Sequence, residues 1–118
     1  MSISWIEYKG KNILYMQYKG KTKEEMLQML EEIAEIHIKS EEKLLTLDDF
    51  EGAFAFDEFM KKAKELDKEI FSKKTKRGAI LGVKGIKKIL LKAFNSITLV
   101  QVQPFDTKEE ALEYLVKD

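Results

Sequence analysis

The segment from residue 78 to residue 95, GAILGVKGIKKILLKAFN, constrains the fold more than any other part of the chain. Residues 79–83 form a short apolar run, which is typical of a strand buried on both faces. Gly85 interrupts this run, and residues 86–95 then repeat with the spacing of a helix. Apolar side chains share one side of that helix and lysines share the other. A buried strand, a glycine turn and a cationic amphipathic helix together predict half of a βαβ unit.

The length and composition favour one domain, spanning residues 1–118, with a single core. The sequence has no cysteine, which excludes disulfides, a thiolate nucleophile and cysteine-ligated zinc. It shows neither an apolar leader segment nor an apolar run near the ~18 residues that span a bilayer. We therefore expect a soluble, cytoplasmic protein.

The net charge is zero, but the charges are unevenly distributed. Residues 1–72 contain 11 basic and 16 acidic side chains, whereas residues 73–92 contain 8 basic and no acidic ones. A neutral total argues against general affinity for nucleic acid, although the basic block could attract an anionic partner.

The first half of the chain predicts a β-hairpin, a helix and a strand. Residues 2–8 and 12–18 are rich in strand-forming residues and flank a short turn. Thr22 and Glu25 form a capping box that starts a helix to about Lys39. His37, the only histidine, lies at the end of its apolar stripe, and we interpret it as a histidine at the edge of the core. Residues 44–47 follow as a strand.

The second half predicts two further βα pairs after another helix. Asp57 is the expected N-cap of a helix to about residue 71, and residues 72–77 read as a basic connector. Residues 98–103 alternate as a strand that ends at Pro104, and a last helix follows Thr107. The fold class is therefore α/β: an N-terminal hairpin and repeating βα units (ββαβαβαβα), with helices packed on a mixed sheet.

The loop after the 44–47 strand is unusually apolar. Asp48 and Asp49 lie at the end of the strand, where open α/β sheets bind ligands, but aspartate also caps ordinary turns. Phe50, Phe54 and Phe56 follow. Such a loop either folds back onto the core or lines a pocket, and we favour the core.

The order of elements resembles the SpoIIAA-like fold, which is shared by STAS domains and more remotely by CRAL-TRIO lipid carriers. Three strings are similar to segments of SpoIIAA-like, STAS-like proteins of unknown function: LLTLDDFEGAFAFDEF, KRGAILGVKGIKKILLKAF and VQPFDTKEEALEYL. The resemblance covers nearly the whole chain and implies binding of a partner or an apolar ligand. STAS anti-anti-sigma factors carry a phosphorylated serine after the third strand, but residues 48–60 here contain no Ser or Thr. A phosphorylation switch is therefore not expected at this site.

Motifs for catalysis, cofactors and metals are lacking. The sequence contains neither a G-x-S-x-G elbow nor a second histidine, and only Asp48 and Asp49 could form an acid–base pair. The Gly82 and Gly85 pair fits neither phosphate-binding fingerprint, so we assign these glycines to backbone geometry. We expect a protein that is not an enzyme, with no catalytic residues, no cofactor and no metal.

Two hypotheses remain open. The first is a non-enzymatic module that holds an apolar or lipid-like ligand between the 50–59 loop and the 85–95 helix. Its candidate ligand-binding residues are Phe50, Phe54, Phe56, Phe59, Gly85, Leu90 and Phe94. The second is a STAS-like interaction module that meets a protein partner or forms a homodimer. Mutating Phe54 and Phe56 should abolish the first activity and spare the second.

The cationic helix adds a membrane hypothesis. Leu91 lies among lysines on its polar side and could insert at an anionic membrane surface. The candidate residues facing an anion or membrane are Lys84, Lys87, Lys88, Leu91 and Lys92. We favour the alternative, a solvated lysine face with one exposed leucine.

Overall fold

The computed structural model describes residues 2–83 and 102–117, which contain one five-stranded sheet. The strands adjoin in chain order and are β1 (Ile3–Tyr8), β2 (Lys11–Gln17), β3 (Leu44–Asp49), β4 (Thr75–Leu81) and β5 (Val102–Phe105). β1 pairs with β2 as an antiparallel hairpin, and every later pair is parallel. The predicted α/β class, hairpin and mixed sheet are confirmed.

The helices described are α1 (Lys23–Lys39), α2 (Asp57–Leu66), a short α3 (Ser72–Lys74) and α4 (Lys108–Leu115). The predicted capping box begins α1: the Glu25 N–H donates to the Thr22 hydroxyl at 3.1 Å, and the Thr22 N–H donates to the Glu25 carboxylate at 2.9 Å. Thr107 caps α4 through its hydroxyl, which accepts from the Glu110 N–H at 3.2 Å.

The sheet has a core on each face, because successive side chains of a strand point to opposite sides. Leu14 and Met16 on β2 pack with residues of α1 and α2 on one face. Ile13 on β2 and Leu47 on β3 pack with α4 on the other. The cavity described below lies in the first of these two layers.

The start of α2 and the segment that follows it differ from the sequence prediction. Phe56 is the N-cap of α2 and makes no side-chain cap bond, so the prediction of Asp57 as the cap was wrong. The regular helix ends at Leu66 and continues as a π-helix, Asp67–Phe71, and then as α3.

The predicted basic connector, residues 72–77, was also wrong, because β4 already begins at Thr75. Arg77 lies within the strand and donates to the backbone carbonyls of Tyr114 and Lys117 at the end of α4. A cation fits there because the last carbonyls of a helix carry partial negative charge.

Pro104 does not end the last strand but lies within it, opposite Ile80 of β4. A proline lacks an N–H donor, so it is tolerated where a strand has a neighbour on one side only. Among the described strands β5 borders β4 alone. The 86–95 helix and residues 98–101 of the predicted strand lie outside the described residues.

Gly82 provides the backbone geometry that the sequence suggested. Its φ is +79°, and a Cβ there would lie 2.4 Å from the backbone nitrogen of Glu51. The end of β4 therefore passes against the loop after β3, where the Phe50 N–H donates to the Leu81 carbonyl at 2.9 Å. Only glycine allows both the positive φ and this close approach.

Candidate functional site

A cavity of about 120 Å³ lies between the sheet and the helices α1 and α2. Its described wall is mostly apolar, with the polar residues Tyr18, His37, Thr46, Asp48, Asp67 and Thr75 among the lining residues. This combination of an apolar surface and a few polar groups is the usual character of a small-molecule site.

The floor of the cavity is the α1-facing side of the sheet. Thr46 on β3 pairs with Gly78 on β4, and Gly78 pairs with Val102 on β5. Gly78 has no side chain, and a Cβ there would approach the Thr46 hydroxyl to 3.3 Å. The absence of a side chain at Gly78 therefore leaves space at this point of the cavity floor.

The roof comes from regularly spaced positions on two helices. Leu30, Ile33 and His37 of α1 lie at i, i+3 and i+7, so they share one helix face. Phe59, Ala63 and Asp67 are spaced four residues apart and line the cavity from α2 and the π-helix, with Met60 and Phe71 beside them. Ala63 is the smallest residue in this part of the roof, so it helps to leave the space empty.

Asp48 is the acidic group that β3 contributes to the cavity. Its neighbours across the sheet are Met16 and Ile80, both apolar. The Tyr18 hydroxyl donates to Asp48 Oδ1 at 2.8 Å, and no other described residue hydrogen bonds to this carboxyl. Burial raises the pKa of Asp48 from 3.8 to about 6, against a smaller lowering by the Tyr18 bond.

Tyr18 is fixed as a donor in this pair. Burial, and then the Asp48 carboxylate, raise the pKa of Tyr18 well above its usual value, so the hydroxyl keeps its proton at neutral pH. Its ring stacks on Phe50 with centroids 4.5 Å apart and meets the edge of Phe59 at 5.4 Å. Tyr18 therefore holds the Asp48 carboxyl from a rigid aromatic cluster.

Asp49 belongs to the opposite face of the sheet. Its Oδ2 accepts from the Tyr15 hydroxyl at 2.5 Å and from Gln17 Nε2 at 3.1 Å, and its Oδ1 accepts from the Glu51 N–H at 3.0 Å. Asp48 and Asp49 therefore cannot act together as an acid–base pair. Burial and the Asp49 bond raise the pKa of Tyr15 to about 12, which fits a structural role for this cluster.

His37 is more deeply buried than a core-edge position suggests, since only 2% of its surface is exposed. Its Nδ1 lies 2.8 Å from the Ile33 carbonyl oxygen, and its ring lies 4.7 Å from that of Phe71. Burial lowers the pKa of His37, partly offset by the Ile33 bond. A neutral ring with its proton on Nδ1 leaves Nε2 as a hydrogen-bond acceptor.

The structure distributes the phenylalanines of the 50–59 loop between two environments. Phe50 and Phe59 are buried and line the cavity. Phe54 is 67% exposed and Phe56 packs at the edge of the core, and neither lines the cavity. Their rings lie 4.8 Å apart.

The other sequence candidates lie outside the described residues. These are Gly85, Leu90 and Phe94 of the predicted ligand site and Lys84, Lys87, Lys88, Leu91 and Lys92 of the predicted anion- or membrane-facing surface.

Several lining residues were missed by the sequence interpretation. Asp67 is only 4% exposed, and it follows Ala63 by four residues, which is the signal that could have placed it on the inner face of the helix. Thr46, Thr75 and Gly78 could not be recognised in the same way, because their role depends on how strands β3 and β4 pair.

Residues 2–83 and 102–117 contain neither a candidate membrane span nor a candidate metal site. No helix there is long and apolar enough to cross a membrane. No group of three or more His, Asp or Glu side chains in these ranges could hold a metal ion.

The comparisons with known proteins agree with the fold. A family model described as SpoIIAA-like matches residues 13–116. An uncharacterised protein of the DUF3478 family from Shewanella loihica PV-4, described as having a SpoIIAA-like fold, has a similar structure with a TM-score of 0.75. The two sequences are 19% identical, and the match covers 96% of this chain and 91% of that one. No curated protein matches.

Proposed function

Because the chain belongs to the SpoIIAA-like family, whose fold is typical of non-enzymatic binding modules, we propose that it binds a small apolar molecule. The site is the cavity between the sheet and the helices α1 and α2. The proposal is based on a cavity of about 120 Å³, and the described residues that form its wall are mostly apolar. A dry apolar cavity of roughly 150 Å³ accommodates benzene, so one ring or a short alkyl segment matches the space here.

The ligand is therefore smaller than a whole lipid, or it places only a segment of its chain in this cavity. The ring or alkyl segment lies against Ile33, Ala63 and Ile80, which line the cavity from α1, α2 and β4. Burial of its apolar surface supplies the binding free energy, at about 25 cal/mol for each Å² removed from water.

Toluene is a suitable probe, because it has the size of the cavity and no polar group. We expect saturable shifts of the Ile33 and Ile80 methyl resonances in NMR spectra as toluene is added. Ala63→Leu adds three carbon atoms to the roof and should abolish these shifts, whereas Phe54→Ala, which alters an exposed side chain, should leave them unchanged. Absence of saturable shifts in the wild type would refute the proposal.

The position of the cavity changes the expected effect of mutating Phe54 and Phe56, which the sequence alone placed in the ligand site. Phe54 lies in solvent and Phe56 lies outside the cavity wall, so their replacement should spare ligand binding. A substitution at Ala63, unlike one at Phe54 or Phe56, should abolish binding of the apolar ligand in the cavity. Native mass spectrometry of protein purified gently from its host would then identify the natural ligand by its added mass.

A second candidate function is contact with a protein partner or a second copy of the chain. The exposed Phe54 ring beside Phe56 favours it, since a large exposed aromatic side chain is common at interfaces. Sedimentation analysis tests the homodimer: a wild-type dimer that becomes monomeric with Phe54→Ala supports it, and a wild-type monomer at all concentrations excludes it.

Contact with an anionic membrane remains a prediction from Lys84, Lys87, Lys88 and Lys92. Replacing these four lysines by glutamate should abolish co-sedimentation with anionic vesicles. Equal pelleting of the wild type and the variant would contradict it.

A further inference from the structure

Two of the polar residues that line the cavity, Asp48 and His37, offer hydrogen-bond acceptors to it. The Tyr18 hydroxyl directs its proton at Asp48 Oδ1, and Asp48 Oδ2 has no partner among the described residues. The Ile33 carbonyl can only accept, so the His37 Nδ1 beside it carries the proton. His37 Nε2 is then an acceptor, and no described residue donates to it.

The charge of the described wall is negative or neutral. Asp48 and Asp67 are its carboxyl groups, and it includes no lysine or arginine from the described ranges. Because the pKa of Asp48 is about 6, its carboxyl is mostly ionised at pH 7. That charge lies between Met16 and Ile80, which give it no compensation.

An unpartnered anionic oxygen in apolar surroundings is energetically unfavourable, and a cation or strong donor beside it removes much of that cost. Asp48 keeps part of its surface exposed, unlike His37. A ligand can therefore place its polar group at Asp48 near solvent and its apolar part deeper in the cavity.

We propose that the ligand is a small apolar amine, whose protonated nitrogen donates to Asp48 while its hydrocarbon part lies between Ile33, Ala63 and Ile80. This inference rests on the proposed function and adds the chemical class of the ligand. A carboxylate ligand in the same orientation is disfavoured, because it would bring a second negative charge to Asp48.

Four probes of nearly equal size test the inference: benzylamine, benzyl alcohol, toluene and benzoate. Their dissociation constants are measured at pH 7.5, where benzylamine is protonated and Asp48 is ionised. We expect benzylamine to bind the wild type most tightly and benzoate most weakly. A hydrogen bond to a charged group corresponds to a preference of roughly 10- to 100-fold.

Asp48→Asn is the matched variant, because the amide keeps the shape of the carboxyl and an oxygen that accepts from Tyr18. It should weaken benzylamine binding at least about tenfold relative to toluene binding, with both probes measured on the wild type and the variant. As an independent readout, benzylamine should lower the pKa of Asp48 in the wild type, measured from the NMR shift of its carboxyl carbon.

The outcomes separate the two proposals. If toluene and benzylamine bind with equal affinity and Asp48→Asn changes neither, the amine assignment is overturned and the apolar-ligand function stands. If benzoate binds most tightly, the amine assignment is also overturned. If none of the four probes binds, both proposals fail.

Discussion

Replacing Asp48 by asparagine should stabilise the protein at neutral and alkaline pH. The pKa of Asp48 rises from 3.8 to about 6 on folding because burial disfavours the ionised carboxyl. A rise of about two units corresponds to about 3 kcal/mol, at about 1.36 kcal/mol per unit. Ionising Asp48 in the folded protein therefore costs up to about 3 kcal/mol, which the neutral amide avoids.

The direction of the pH dependence of stability follows from how tightly Asp48 binds its proton in each state. The folded state holds the Asp48 proton more tightly than the unfolded state, so this contribution to stability is fully present below the unfolded pKa near 4. It is lost as the pH rises through about 6. We expect Asp48→Asn to match the wild type near pH 4 and to exceed its free energy of unfolding by up to about 3 kcal/mol near pH 8.

Urea unfolding of both proteins between about pH 4 and pH 8 measures this difference. Tyr18 and His37 also line the cavity, but both proteins contain them, so their own proton binding cancels to first order in the difference. A Tyr18→Phe variant removes the donor to Oδ1 and should raise the Asp48 pKa further. A difference in the free energy of unfolding between wild type and Asp48→Asn that does not vary with pH would show that the Asp48 pKa is not raised on folding.

Three further predictions use the same unfolding assay. Gly82→Ala should lower the free energy of unfolding by more than about 3 kcal/mol, because its Cβ would clash with the backbone. Gly10→Ala, with φ +80° but open space around it, should lower it by about 1–2 kcal/mol. Equal losses of stability in the two variants would contradict this expectation. Thr22→Ala should cost about 1 kcal/mol by removing the cap of α1. The lowered pKa of His37 should make the wild type lose stability relative to His37→Gln as the pH falls below 6.5, and parallel pH profiles would exclude this.

Local sequence signals predicted the elements whose structure depends on nearby residues. The Thr22 and Glu25 capping box and the apolar stripe ending at His37 both appear in α1, because caps and helical periodicity act within a few residues. Alternation along β3 would also have separated Asp48 from Asp49, since neighbouring side chains in a strand face opposite ways.

The cavity could not be predicted because it depends on contacts between distant segments. Gly78 opens the floor only because β4 pairs with β3 in the register that places it beside Thr46. The exposure of Phe54 likewise follows from the path of its loop, which an apolar composition does not determine.

A crystal structure of the protein under xenon pressure would show directly whether the cavity is open to an apolar guest, because xenon enters apolar cavities without needing a polar contact. We expect a xenon atom between Ile33, Ala63 and Ile80 in the wild type and no xenon there in Ala63→Leu. A wild-type structure in which protein side chains fill this space and exclude xenon would show that the binding cavity does not exist.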